Sequence, residues 1–486
     1  MRIIQWAVAG RAAAKQTLAA GLLAVVALGA APAFVGPRPV VVSGHLDHPL
    51  APQVRLEYNV NSLTQEPTQE LTAKLDARGN FRLVLPSLPG PTEASFLNGN
   101  ELTTLFLSPG DDLHLTLDAA KFDETLRYTG PGAAANNYLA QSMLRFSLAR
   151  PDHPMRKIEA ASPAQMMAAA DAYCQEQRAF LAAYVALHPV PAVFRAYARQ
   201  TIDFGRAGAL LYYASFHAGH PNLNTGAIPA DFYDFLAPLR PAQDSALAFG
   251  SSVYLSFLRS LTDARLPGPE AQPTEAALLA SAQAAFGNGR SRDLSLAQYV
   301  YQRLSYQPVE QVAPQMAIFQ RLNRDSLMAR TVRARYRRAV AVLPGQPAPA
   351  FILTDNTGRK VSLSSFKGKV VYLDFWGTWC HPCLNEIPAS HELAKKFEGR
   401  DVVFVYIDVN DKEAQWQKVL AANFQPSPSS VHLRSPDNAV PTAYNVQSYP
   451  TYWIIGRDGR IRSTRAPRPS GGPETVALLE QALGQQ

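Results

Sequence analysis

The run from Val370 to Trp376 is apolar at every position except Asp374 and leads through Gly377, Thr378 and Trp379 into Cys380-His381-Pro382-Cys383. A short, continuous apolar run of this kind predicts a strand buried on both faces. Helical pattern follows from His381, so the two cysteines lie where a buried strand turns into a helix. Two thiols three positions apart at a helix start can close into a small ring, and that ring stores two electrons reversibly. The first thiol sits beside the unpaired N–H groups of the helix N-terminus, which favour the nucleophilic thiolate. The second is placed to attack a mixed disulfide on the first and release the product.

Cys-x-x-Cys also serves zinc, but a structural zinc site needs four closed ligands. The chain has three cysteines in 486 residues, the third being Cys174, about two hundred positions upstream, and no His pair has finger spacing. No metal is expected, and no cofactor beyond the redox-active pair Cys380–Cys383. Cys174 lies on the apolar face of a helical segment, where a free thiol behaves as a small core residue.

Around these cysteines the chain resembles the thioredoxin superfamily, and within it the periplasmic TlpA/ResA-like thiol–disulfide oxidoreductases. The residues that carry the resemblance are Gly345 to Phe351, Phe375 and Trp376, Trp379 to Cys383, Glu386, Pro388 and Tyr449-Pro450-Thr451, in that order. It covers about 344–486 and implies a thioredoxin fold. Where many TlpA-like proteins carry Asn, this chain has Asp374. The resemblance also implies roles. Cys380 attacks and Cys383 resolves. Asp374, with a pKa raised by burial, takes the Cys383 proton. Glu386, one turn past Cys383, is placed either to tune the thiols or to serve as an ordinary first-turn acid facing the helix dipole. Trp379, His381, Pro382, Tyr449 and Pro450 form the substrate side, with Tyr449–Pro450 as a cis bond. His381 beside the nucleophile favours thiolate and makes the disulfide more oxidising. Pro382 suits the first helical turn.

The pattern within this segment predicts strand 369–376, helix 381–397, strand 402–408, helix 411–423, strands 451–455 and 460–464, and a last helix 474–484. Residues 425–446, rich in Pro and Ser, predict an irregular insertion.

The first fifteen residues carry three positive charges and no acid, and a largely apolar run from Leu18 ends at Ala31-Pro32-Ala33. This predicts a secretory signal over 1–33 with cleavage after Ala33 and a periplasmic mature chain. Three thiols exclude a disulfide-stapled scaffold. A net charge of +7 with widely spread arginines gives no case for nucleic-acid binding. The densest basic stretch, Arg330 to Arg338, reads as a solvated helix face, and the sequence leaves membrane contact open.

Length suggests about three domains. Residues 38–130 alternate apolar and polar, as at Val54, Leu56, Tyr58 and Val60, at Phe81, Leu83 and Leu85, and at Leu113, Leu115 and Leu117. They predict an antiparallel β-sandwich. It resembles the accessory domain found ahead of some TlpA-like domains, through Phe106 to Asp111 and Gly130 to Asn136. Residues 133–340 are helical in pattern, with Met167, Ala170, Cys174, Leu181 and Tyr184 on one face of 162–187. His217 and His220 there suit capping or surface roles. Pro344, Pro347 and Pro349 stop any helix and predict an extended linker into 344–486. The fold class is therefore multidomain: β-sandwich, all-α region, α/β thioredoxin fold.

The expected function is an exported thiol–disulfide oxidoreductase that reduces protein disulfides, with disulfide or dithiol proteins as substrates and a thiol-reductase type of membrane electron carrier as donor. A disulfide oxidase or isomerase, and a partner-binding or assembly protein with a secondary redox domain, are the alternatives. A peroxidase needs Pro and Thr seven and three positions before its cysteine, where this chain has Leu373 and Gly377.

Overall fold

Strict alternation of apolar and polar residues in the N-terminal region folds it as strands that each bury one face. The computed structural model describes residues 38–484, apart from 60–61, 64–68, 221, 224–225 and 269–270. The leader predicted over 1–33 lies outside the described residues, as does Val60.

Eight strands build two sheets: β1 (Val40–Asp47), β2 (Gln53–Tyr58), β3 (Gln69–Lys74), β4 (Asn80–Leu85), β5 (Thr92–Asn98), β6 (Glu101–Leu107), β7 (Asp112–Asp118) and β8 (Arg127–Thr129). Their orders are β4-β1-β7-β8 and β3-β2-β5-β6. One core joins them, with Val42, Leu83 and Leu115 from the first sheet and Leu56 and Phe96 from the second, and the Phe81 and Phe96 rings meet at 5.2 Å. The expectation of an antiparallel sandwich needs one correction: β1 and β7 pair in parallel. Alternation dictates which face a strand buries, but not which neighbour it takes.

Eight long helices follow: α1 (Ala133–Arg145), α2 (Pro163–Leu187), α3 (Ala192–Gly219), α4 (Ser252–Arg265), α5 (Glu275–Phe286), α6 (Arg290–Tyr306), α7 (Val309–Leu322) and α8 (Ser326–Ala341). Helix α2 starts on a capping box in which the Ser162 hydroxyl accepts from the Gln165 N–H and the Gln165 side chain accepts from the Ser162 N–H. Its buried face holds Met166, Ala170, Cys174, Leu181 and Tyr184, so Met166 takes the core place expected of Met167. Cys174 is free and buried, and burial pushes its thiol pKa up. His217 and His220 bond the backbone carbonyls of Ile158 and Phe216. The sandwich and the first helices share aromatic packing, since Phe106 of β6 meets Phe194 and Tyr197 of α3 at 5.3 and 4.7 Å.

The basic run on α8 departs from a uniformly solvated face. Arg335 is 4% exposed, donates to the Ser305 hydroxyl at 2.6 Å and lies over the Tyr301 ring at 3.9 Å. Its planar cation finds an aromatic face and an acceptor there, which a burial site for a charge requires. Arg330, Arg333, Arg337 and Arg338 are exposed.

Helix α8 ends at Ala341, ahead of the prolines. The segment beyond is docked rather than a free linker. Val342 is buried in the C-terminal core, Gly345 donates to the Ile461 carbonyl and Ala348 to that of Gly459. Seven strands then form one sheet in the order β10-β9-β13-β12-β11-β14-β15: β9 (Ile352–Asp355), β10 (Lys360–Ser362), β11 (Val370–Trp376), β12 (Val402–Val409), β13 (Ser430–Ser435), β14 (Thr451–Ile455) and β15 (Ile461–Ser463). Strands β11, β12 and β13 are parallel, while β14 runs antiparallel to β11. Helices α9 (His381–Lys396), α10 (Glu413–Asn423) and α11 (Pro473–Gly484) flank the sheet. The insertion expected to be irregular contains β13 and a short helix, Ala439–Ala443, and the hairpin β9–β10 adds two further strands. Every residue of β11 and of β12 is buried, as an apolar run at the centre of a parallel sheet requires.

Candidate active site

Strand β11 ends at Trp376, and four residues later Cys380 caps helix α9. Cys380 and Cys383 are joined as a disulfide. The Cys383 N–H donates to the Cys380 sulfur at 3.3 Å, so the first sulfur holds the N-cap position and receives a helix N-terminal N–H. That contact favours negative charge on Cys380 once the disulfide opens. Exposure does not separate the two cysteines. Cys380 is 5% and Cys383 4% exposed. Both cysteines belong to one apolar cluster, with Tyr372, Trp376, Tyr406 and Tyr452.

The loop ahead of Cys380 is held from β12. The Asp411 carboxylate accepts from the Thr378 N–H at 2.6 Å and from the Thr378 hydroxyl at 2.8 Å. Trp379 donates its indole N–H to the Val409 carbonyl and is 53% exposed. Its ring stands edge-on to Tyr449 at 5.2 Å. Gly377 is required by this indole, because a Cβ there would lie 2.6 Å from it. The Tyr449–Pro450 bond is cis, as the resemblance implied, and Tyr449 packs on the cluster that contains the cysteines. His381 and Pro382 are exposed on the first turn of α9.

Two acids are buried on the elements that flank the disulfide, one on β11 and one on α9. Asp374 is buried in β11, opposite Tyr406 and Tyr452, and its Oδ1 has no hydrogen-bond partner. Burial, then the nearby Glu386 charge, raises its pKa well above the ordinary carboxyl range. Glu386 is buried on α9 and accepts from the Ser470 N–H at 3.0 Å and from its hydroxyl at 2.8 Å, with Arg468 at 4.0 Å. Ser470 stands just ahead of α11, so the C-terminal segment fixes an acid of the motif helix.

A third buried acid was not anticipated. Asp408 of β12, paired with Trp376 across the sheet, is fully buried, and burial followed by Asp411 pushes its pKa up to about 9. The sequence signal was a lone acid in the apolar run 402–409. Ser470, Thr378 and Asp411 carried no comparable signal. Among the described residues no group of three His, Cys, Asp or Glu side chains is placed to hold a metal.

Comparison with known proteins places this geometry. The model of the AhpC/TSA family matches residues 344–464. Thiol-disulfide oxidoreductase ResA of Bacillus thuringiensis subsp. konkukian is 32% identical over 139 residues, which are 29% of this chain and 76% of the relative. ResA of Geobacillus kaustophilus is 35% identical over 127 residues, 26% of this chain and 71% of the relative. Thioredoxin-like protein YneN of Bacillus subtilis is 34% identical over 148 residues, 30% of this chain and 82% of the relative. At least 70% of the chain therefore lies outside each of these matches.

Proposed function

Because the chain belongs, through its C-terminal domain, to the ResA/TlpA-like thiol–disulfide oxidoreductases, we propose that it is an exported reductase of protein disulfides acting through Cys380 and Cys383. The observation that carries this reading is the Cys380 sulfur at the N-cap of α9, bonded to the Cys383 N–H and backed by the buried acid Asp374. Export rests on the charged and apolar pattern of residues 1–33. Among the described residues no helix is long and apolar enough to cross a membrane.

In the reduced enzyme the Cys380 thiolate attacks one sulfur of the substrate disulfide. A mixed disulfide forms, and the other substrate sulfur leaves as a thiolate that takes a proton. Asp374 in its ionised form then accepts the proton of Cys383, and the new thiolate attacks the Cys380 sulfur. The Cys380–Cys383 bond closes as the mixed bond breaks, so the substrate gains two electrons and the enzyme loses two. Asp374 suits this step because burial, and after it the Glu386 charge, raises its pKa above the ordinary carboxyl range and so strengthens it as a proton acceptor. An external dithiol, on this reading a membrane electron carrier of the thiol-reductase type, returns the enzyme to the dithiol state. Trp379, Tyr449 and Pro450 present the face on which substrate chain lies, and His381 beside Cys380 adds to thiolate stability.

The order of attack is open to test. Cys383→Ser should accumulate a mixed disulfide with substrate protein, seen as an added mass that dithiothreitol removes, and Cys380→Ser should accumulate none. Adducts on Cys380→Ser alone would reverse the roles of the two cysteines.

A further inference from the structure

The attacking sulfur stands at the end of a short connection, Gly377 to Cys380, that belongs to neither β11 nor α9. One turn closes within it, where the Cys380 N–H donates to the Gly377 carbonyl at 3.0 Å. The strongest support comes from elsewhere in the chain. The two carboxylate oxygens of Asp411 take separate donors from one residue, Oδ2 the Thr378 N–H at 2.6 Å and Oδ1 the Thr378 hydroxyl at 2.8 Å. Both bonds are charge-assisted, and as a pair they fix orientation as well as distance.

Asp411 is itself held. Just ahead of it Asn410 has a φ of 63°, in the left-handed region that Asn tolerates better than most side chains, and this turns the chain away from β12. The Asn410 N–H donates to the Ser435 carbonyl at 3.0 Å, and its side-chain amide donates to the Asn438 side chain at 2.7 Å. The Arg434 guanidinium donates to the Asp411 carbonyl at 3.1 Å. A residue in a sparsely populated backbone region persists where its surroundings hold it there. Support therefore runs from the end of β13 and the residues after it, through Asn410 and Asp411, to Thr378 and the cysteine two positions on. A negative charge bonded this near to Cys380 works against a thiolate by charge alone. Anchoring is the role its geometry favours.

We propose that Asp411 is a positioning residue for the exchange reaction, holding through Thr378 the loop that keeps the Cys380 sulfur at the Cys383 N–H and so stabilising the attacking thiolate. The proposal rests on reading the chain as a thiol–disulfide oxidoreductase.

The test uses the reduced full chain. It measures alkylation of Cys380 by iodoacetamide against pH, read by mass on the peptide that carries it, and kcat/KM for hydroxyethyl disulfide. Asp411→Ala removes both bonds and should raise the pH midpoint of alkylation by about half a unit to one unit, with kcat/KM at pH 7 about threefold to tenfold lower. Asp411→Asn separates position from charge. Its amide oxygen can accept from the Thr378 N–H and its NH2 can donate to the Thr378 hydroxyl, so the midpoint should lie at or below that of the parent. Thr378→Val deletes the hydroxyl bond alone and should shift the midpoint upward by less than Asp411→Ala, and Thr378→Ser should restore it. Asp408 lies beside Asp411, and the two Thr378 variants leave both acids in place, so they decide the matter if Asp411→Ala does not fold. Midpoints that fall together in Asp411→Ala and Asp411→Asn would show that Asp411 acts by charge and would overturn the proposal. So would a Thr378→Val midpoint equal to that of the parent. A parent chain that does not turn over the disulfide would instead overturn the oxidoreductase reading beneath it.

Discussion

A carboxyl group without water around it holds its proton, and Asp408 turns that into a measurable stability term. Its pKa is near 9 in the folded chain and in the ordinary carboxyl range when unfolded. Below that range both states carry the proton and the group is neutral to stability. As pH rises through the neutral range the unfolded chain releases its proton while the folded chain keeps it, so stability falls until the pH passes about 9. Asp408→Asn removes this titration and keeps an N–H to offer Asp411. The variant should melt above the parent at pH 7 to 8, with the gap closing near pH 4. A gap independent of pH would show that Asp408 does not titrate in this way. Glu386 gives a second residue-scale expectation. Glu386→Gln removes the charge that helps raise the Asp374 pKa, so the limb of the pH–rate profile set by Asp374 should move to lower pH. Ser470→Ala, which deletes one of the bonds holding Glu386, should move it the same way by less. Profiles of both variants that overlay the parent would remove Glu386 and Ser470 from the tuning of the site. The cysteines, Asp374 and Glu386 were legible because they stand within a dozen or so positions along one strand and helix. Ser470 was not, because it meets Glu386 across 84 residues, nor was Asp411, which meets Thr378 across 33. Contacts formed only by the tertiary fold leave no spacing to read.

At the scale of elements, sequence carried those whose pattern is self-sufficient. The apolar runs of β11 and β12 and the capped start of α2 needed no partner to be recognised. Ser162→Ala deletes one half of the α2 capping box and should cost about 1 kcal/mol of stability in urea unfolding. A loss within error of zero would mean that packing of α2 already compensates for its cap. Strand β13 was missed because Pro426, Ser427 and Pro428 precede it and His432 lies within it. Its extended form comes from pairing with β12 over Phe404 to Val409. The charge run predicts a solvated Arg335, because such runs on helices are ordinarily exposed. Its burial follows from its place between Val332 and Ala339 on the inner face of α8 and from the Tyr301 ring beneath it.

For the whole molecule, all the chemistry assigned here lies beyond residue 344, and the segment after α8 pairs with β15 rather than with the helices. A fragment of residues 341–486 keeps that pairing and Val342, and it has the length of a single domain. It should fold and turn over hydroxyethyl disulfide at a rate comparable to the full chain. A folded fragment without activity on the small disulfide would place part of the catalytic machinery in the helical region. The reading of the intact molecule stands or falls on catalysed exchange at Cys380 and Cys383, and insulin reduction by excess dithiothreitol, followed as turbidity, measures it. The full chain should precipitate insulin well ahead of dithiothreitol alone, and the protein carrying both Cys380→Ser and Cys383→Ser should match dithiothreitol alone. A wild-type chain no faster than free dithiothreitol would contradict the assignment.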